Sequence, residues 1–147
     1  MKKTAYTIMA LTVLIGSMAV AAQAQTARHA TVRVSIPFQF HVGNATMPAG
    51  DYTIRELNED SNASTLQISC QKSGANTIVN MIGALGNTPA MSKLTFRRYG
   101  NQYYFAAVWV EGENDGLQAP KSKAERATQK ELATLNVPME TVAVKLR

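Results

Sequence analysis

The chain is 147 residues long, 46% hydrophobic and 17% charged, and 15 Lys and Arg against 10 Asp and Glu give a formal net charge of +5. Lys2 and Lys3 belong to an N-terminal leader, and the remaining basic groups are scattered along the sequence, which argues against nucleic-acid binding. Cys70 is the only cysteine, so no intramolecular disulfide forms and packing alone has to hold the core.

The leader reads "MKKTAYTIMALTVLIGSMAVAAQAQ": two lysines, an apolar run from Tyr6 to Val20, and Ala22-Gln23-Ala24 as a small-x-small cleavage site. This is the three-part layout of a secretory signal peptide. It predicts a leader over residues 1–24 and one β-rich domain over 25–147. The apolar run is short for a membrane span of about 20 residues. No later segment is apolar enough to span, and no cysteine follows the cleavage site to carry a lipid. An exported, periplasmic or extracellular protein is expected.

From Val32 to Val42 the apolar residues share one parity, while Arg33, Ser35, Gln39 and His41 hold the other. That alternation predicts a half-buried strand. Pro37 cannot donate a ladder hydrogen bond, so the strand lies at an edge there, or bulges and passes between sheets. "MPAG", with Pro48 and Gly50 at turn positions, makes a corner before alternation resumes at Tyr52 and Ile54. A polar turn at Asn58 to Asn62 precedes a strand from about Ser64 to Cys70, and a further strand runs from about Thr77 to Ile82. Cys70 continues the alternating set Leu66 and Ile68, which makes it a buried small hydrophobe rather than a nucleophile. "GALGNTPA", Gly83 to Ala90, reads as a loop over one end of the sheet.

Lys93 to Tyr99 and Gln102 to Glu111 form a hairpin about Gly100-Asn101. The return strand places Tyr103, Phe105, Ala107 and Trp109 on one face and Tyr104, Ala106, Val108 and Val110 on the other. Both faces are apolar, so this strand is central and something must cover it on each side. "EGENDG" is an acidic turn whose spacing does not fit a calcium loop. After Pro120 the period becomes helical. Ala124, Thr128, Leu132 and Leu135 form the expected inner stripe, Ser122 and Glu125 make a capping box, and Asn136 before Pro138 marks the stop. "ETVAVKLR" alternates again as a last strand.

The segments "VSIPFQFHVGNATMPAGDYTI", "KLTFRRYGNQYYFAAVW" and "PKSKAER" together resemble a widespread, uncharacterised family of small exported proteins found chiefly in acidobacterial genomes. The resemblance spans nearly all of residues 25–147 and implies an intact domain in an envelope or extracellular setting. It supplies no catalytic residues.

The expected fold is mainly β: an antiparallel β-sandwich or partly open β-barrel of about seven or eight strands, with one α-helix before the last strand. A Ser-His-Asp hydrolase would have only His29 and His41 to draw on, and Glu56, Glu111 and Glu113 are scattered in sequence as a carboxylate pair for glycoside hydrolysis, so no catalytic residue, metal ligand or cofactor is assigned. Tyr99, Tyr103, Tyr104 and Trp109, with Arg97, form the densest aromatic group and the candidate ligand-binding set. The leading functional expectation is a non-catalytic secreted or cell-envelope protein acting through surface interaction or assembly, with an envelope protein, a glycan or an apolar small molecule as partner. In one form of it, the strand from Thr31 to Val42 completes a neighbour's sheet. The alternative is a β-barrel carrier of an apolar ligand or glycan, its cavity lined by Phe38, Phe40, Tyr103, Phe105 and Trp109. An enzyme of unknown class ranks third.

Overall fold

The structure is a computed structural model and describes residues 31–60 and 63–147. The leader, its cleavage point, His29, and Ser61 and Asn62 of the expected Asn58 to Asn62 turn lie outside these residues, and the first three residues of that turn belong to a strand. Among the described residues ten strands form: β1 (Thr31–Ile36), β2 (Phe40–Val42), β3 (Ala45–Met47), β4 (Gly50–Asp60), β5 (Ala63–Cys70), β6 (Asn76–Leu85), β7 (Lys93–Tyr99), β8 (Gln102–Trp109), β9 (Asp115–Gln118) and β10 (Met139–Lys145). One helix, α1 (Lys123–Thr134), precedes the final strand.

The strands make one large mixed sheet ordered β1-β4-β5-β6-β9-β8, continued through β7 to β10. All pairs on this path are antiparallel. The sheet curls until its two ends approach, where the Arg147 backbone N–H donates to the Arg33 carbonyl at 3.1 Å. No ladder joins β10 to β1, so the sheet stays open. β7 runs the whole length of one edge of β8. The other edge is shared, by β9 at Ala107 to Trp109 and by β2 through a single parallel pair, His41 with Tyr104.

Among the described residues the mainly β class, a sheet not closed into a barrel, and a helix just before the last strand agree with the expected fold. The extra strands have local causes. Pro37 ends β1 after Ile36, and the chain leaves the edge of β4 and crosses to β8 as β2. A two-residue turn then folds β2 onto β3, with Gly43 at a φ of 59° that a side chain would resist. The Pro48 corner is a folding device, because its carbonyl accepts a hydrogen bond from the buried Tyr52 hydroxyl.

Inward side chains follow the alternation closely: Val34 and Ile36 on β1, Leu66, Ile68 and Cys70 on β5, Leu94 and Phe96 on β7. Each large apolar group taken out of water contributes about 1.5–3 kcal/mol. Phe96 is the hub of an aromatic stack, meeting Phe38, Phe40 and Phe105 edge-on at centroid distances of 5.1, 5.3 and 5.9 Å. Such edge contacts add to the area term.

Two predicted faces are corrected. Thr95 pairs with Ala107 but Phe96 pairs with Phe105, which leaves Ala106 as an extra residue in β8. A bulge of this kind reverses the parity of everything beyond it. Tyr103 and Phe105 therefore face the core, whereas Ala107 and Trp109 face outward. The second correction concerns α1. Its buried residue is Glu125, at 2% exposure; of the expected stripe, Thr128 and Leu132 are half-buried against the sheet, while Ala124 is exposed and Leu135 is 65% exposed. The helix docks on the outer face of β7 and β8, where Arg97 and two tyrosine hydroxyls wait, so a polar stripe suits it better than an apolar one.

The ends of α1 match the sequence signals. Ser122 caps it by accepting from the Glu125 backbone N–H at 3.1 Å. The Glu125 carboxylate is held by Arg97 instead of returning to the Ser122 backbone N–H, so only the serine half of the expected capping box forms. Asn136 adopts a left-handed φ of 55° after the C-cap Leu135. Bonds from Asn136 N–H to the Ala133 carbonyl and from Val137 N–H to the Leu132 carbonyl, 3.2 and 3.0 Å, complete a Schellman stop.

Candidate functional site

The bulge in β8 distributes the five candidate residues over three places. Tyr103 lies on the inner side, stacked on Phe38 at 4.0 Å, with the Arg98 guanidinium 5.6 Å from its ring centre. Tyr99 and Tyr104 lie beneath α1 on the outer side, edge to face at 5.8 Å. Tyr104 stacks with His41 at 4.9 Å, and its hydroxyl sits 2.8 Å from both Gln102 Oε1 and Thr128 Oγ1. Trp109 stands apart, further along the outer face. Arg97 lies between the helix and Trp109.

Arg97 and Glu125 form the polar centre of the helix contact, with side-chain exposures of 8% and 2%. Arg97 Nε donates to Glu125 Oε1, and its Nη2 donates to Glu125 Oε2 at 3.0 Å and to the Ala119 carbonyl at 3.3 Å. Tyr99 Oη donates to Glu125 Oε1 at 3.1 Å. Burial first, and the neighbouring Glu125 charge second, push the Tyr99 phenol up to about 12. No buried side-chain polar atom among the described residues lacks a partner. Sequence reasoning missed Glu125 as a buried group because its only local signal was the capping position.

Beside the helix, the outer face of β6, β7, β8, β9 and β10 forms a groove of about 460 Å³. Its floor mixes small apolar and polar side chains, Ala106 and Ala107 with Thr95, Gln118 and Thr141, and Trp109 and Lys93 stand in it. Arg97 shows one flank of its side chain here, so of the five candidates only Arg97 and Trp109 share this space. Trp109 is half-buried, and its ring crosses two glycines. A Cβ on Gly116 would come within 2.6 Å of indole Cε3, and one on Gly86 within 2.6 Å of Cη2. A glycine inside a strand often marks such a close approach, the signal by which Gly116 could have been found.

The interior offers little room. The apolar hollow on the inner side, lined by Ile54, Leu66, Leu94, Val108, Leu117 and others, measures about 110 Å³. Pockets that enclose small ligands hold roughly 300–1,000 Å³. Of the five residues expected to line a carrier cavity, Phe38, Phe40, Tyr103 and Phe105 pack into the aromatic core and Trp109 lies outside it. A wider hollow of about 740 Å³ lies over β1 and β4, bordered by Arg33, Asp51, Gln71 and Arg147, and contains none of the candidate residues.

No family model, curated protein or solved structure matches the chain. Among the described residues no three His, Cys, Asp or Glu side chains gather as a metal site. His41 is engaged by Thr46 Oγ1 at 3.1 Å and by the Tyr104 ring. Cys70 is buried, with its sulfur toward Gly50 and Tyr52 as its strand partner. Burial, then Cys70, raises the Tyr52 phenol to about 12. No described helix is long and apolar enough to cross a membrane.

Proposed function

We propose that this is an exported, non-catalytic protein of the cell envelope or exterior that works by surface recognition, with the outer face beside α1 as its working surface. The observation that carries the reading is the groove at Trp109. A half-buried indole is laid over two glycines in a concave space floored by both small apolar and polar side chains, while the other large rings among the described residues are committed to the core or to the helix contact. Exposed apolar residues continue the surface outward: Ile82 at 51%, Leu85 at 83% and Met139 at 47%. Aromatic and apolar groups exposed together mark interaction surfaces. The leader and the resemblance to small exported proteins support the envelope setting.

The small interior hollow favours this surface reading over the carrier. The test is cosedimentation of purified residues 25–147 with isolated cell envelopes. Retention is expected for the wild type, with strong loss in Trp109→Ala and Ile82→Asp and none in Lys72→Ala, which lies in the distant Gln71 to Gly74 turn. Equal retention of all four proteins, or no retention of the wild type, contradicts the reading.

A further inference from the structure

We infer that the Trp109 groove binds an acidic polysaccharide, a chain of sugars bearing carboxylates; this deepens the surface-recognition reading above and rests on it. The register places Lys145 opposite Lys93, and Lys93 opposite Trp109. Partners in an antiparallel register point to the same side of the sheet, so Lys145, Lys93 and Trp109 are rooted in one row across the outer face, with the indole leaning from β8 over Gly116 and Gly86. Like charges directly opposite one another cost stability. Neither lysine has an ion-pair partner among the described residues.

No acid lines the groove. Glu113 and Asp115 of the adjoining turn instead line a separate hollow with Glu56 and Ser64. Arg97 is already neutralised by Glu125, so Lys93 is the groove's free cation and Lys145 extends it along the sheet. Covering Gly116 explains why a large ring lies over that strand, since aromatic side chains shield glycines in sheets. It does not explain the paired lysines.

The chemistry that fits this row is a flat, partly apolar face next to negative charge. A pyranose ring lays its C–H face on an indole, a sugar carboxylate meets Lys93 and Lys145, and ring hydroxyls meet Thr95, Thr141 and Gln118 on the floor. The groove's volume of about 460 Å³ lies within the range for small-ligand sites and is open enough for a chain to run through. The indole supplies stacking area and the lysines supply selection by charge.

Trp109 is the only tryptophan, so intrinsic fluorescence reports from the site itself. Residues 25–147 would be titrated with oligogalacturonate, with its methyl-esterified neutral form, and with inorganic polyphosphate as a polyanion without sugar. The expected result is a saturable change in emission with oligogalacturonate, at least about tenfold weaker for the neutral form. Calorimetric titration should show affinity reduced at least about tenfold in Lys93→Gln/Lys145→Gln, and lost in Trp109→Ala. Salt should weaken binding, as screening of exposed charges requires. Equal binding of the neutral form, equal binding of polyphosphate, or no response to oligogalacturonate overturns the inference. If the envelope cosedimentation still depends on Trp109, the surface reading survives that loss; if it does not, both fall.

Discussion

Replacing Glu125 by alanine should detach α1 more effectively than any apolar truncation in the helix. The Arg97 guanidinium, its side chain 8% exposed, would keep only carbonyl acceptors, and the Tyr99 hydroxyl would lose its acceptor. Removing one partner of a buried ion pair costs about 3–5 kcal/mol, because the other charge stays buried and uncompensated. With a urea slope near 2 kcal/mol/M, the unfolding midpoint should fall by about 2 M. The pair itself contributes little net stability, since both charges are desolvated. Arg97→Met/Glu125→Leu in a Tyr99→Phe background should therefore be far less destabilised than Glu125→Ala. Urea unfolding followed by Trp109 emission and by far-ultraviolet dichroism measures all of this. A cost below about 1 kcal/mol for Glu125→Ala, or a triple variant as unstable as the sum of its parts, would refute the ionic account of helix docking.

Gly86→Ala places a methyl 2.6 Å from the Trp109 ring, so the indole should be displaced toward water, with red-shifted emission; an unchanged emission maximum contradicts the packing described. Gly116→Ala meets both the ring and the Val108 carbonyl, at 2.6 and 2.8 Å, and should cost about 1–3 kcal/mol in denaturant unfolding, against little or no cost for Gly83→Ala, whose added Cβ meets nothing within 4 Å. Tyr52 and Tyr99 both have folded pKa values raised to about 12 from 10, so the folded state holds protons that the unfolded state releases. Their contribution is complete below pH 10 and lost as pH rises toward 12; ultraviolet titration should show that Tyr52→Phe and Tyr99→Phe each remove part of the late phenolate step. Cys70 should resist bulky thiol reagents in the native protein and react on unfolding, and fast native labelling would contradict its 3% exposure.

The strands were legible where alternation was unbroken. Val34 and Ile36, Leu66 to Cys70, and Leu94 with Phe96 announce their inward faces residue by residue. Pro37 announced the break between β1 and β2 but not its destination, because pairing with β8 is a long-range choice that local pattern does not encode. The Ala106 bulge left no mark, since Ala106 and Ala107 suit either face equally. That one inserted residue separated Trp109 from Tyr103 and so created the outer groove. The helix misled for a different reason: leucines at helical spacing look like an inner stripe, but the surface beneath α1 presents Arg97. A buried acid on the helix can be read only once its partner's position is known.

The division of labour between a packed interior and a working outer face is tested most directly by a hydrogen-exchange footprint of residues 25–147 with and without isolated cell envelopes. New protection should fall on the segments that build the groove, 82–87, 93–97, 106–109 and 116–118, while β1 and β4 exchange as before. Protection confined to β1 and β4, or uniform slowing of the inner strands as for a ligand sealed inside the sheet, would contradict it.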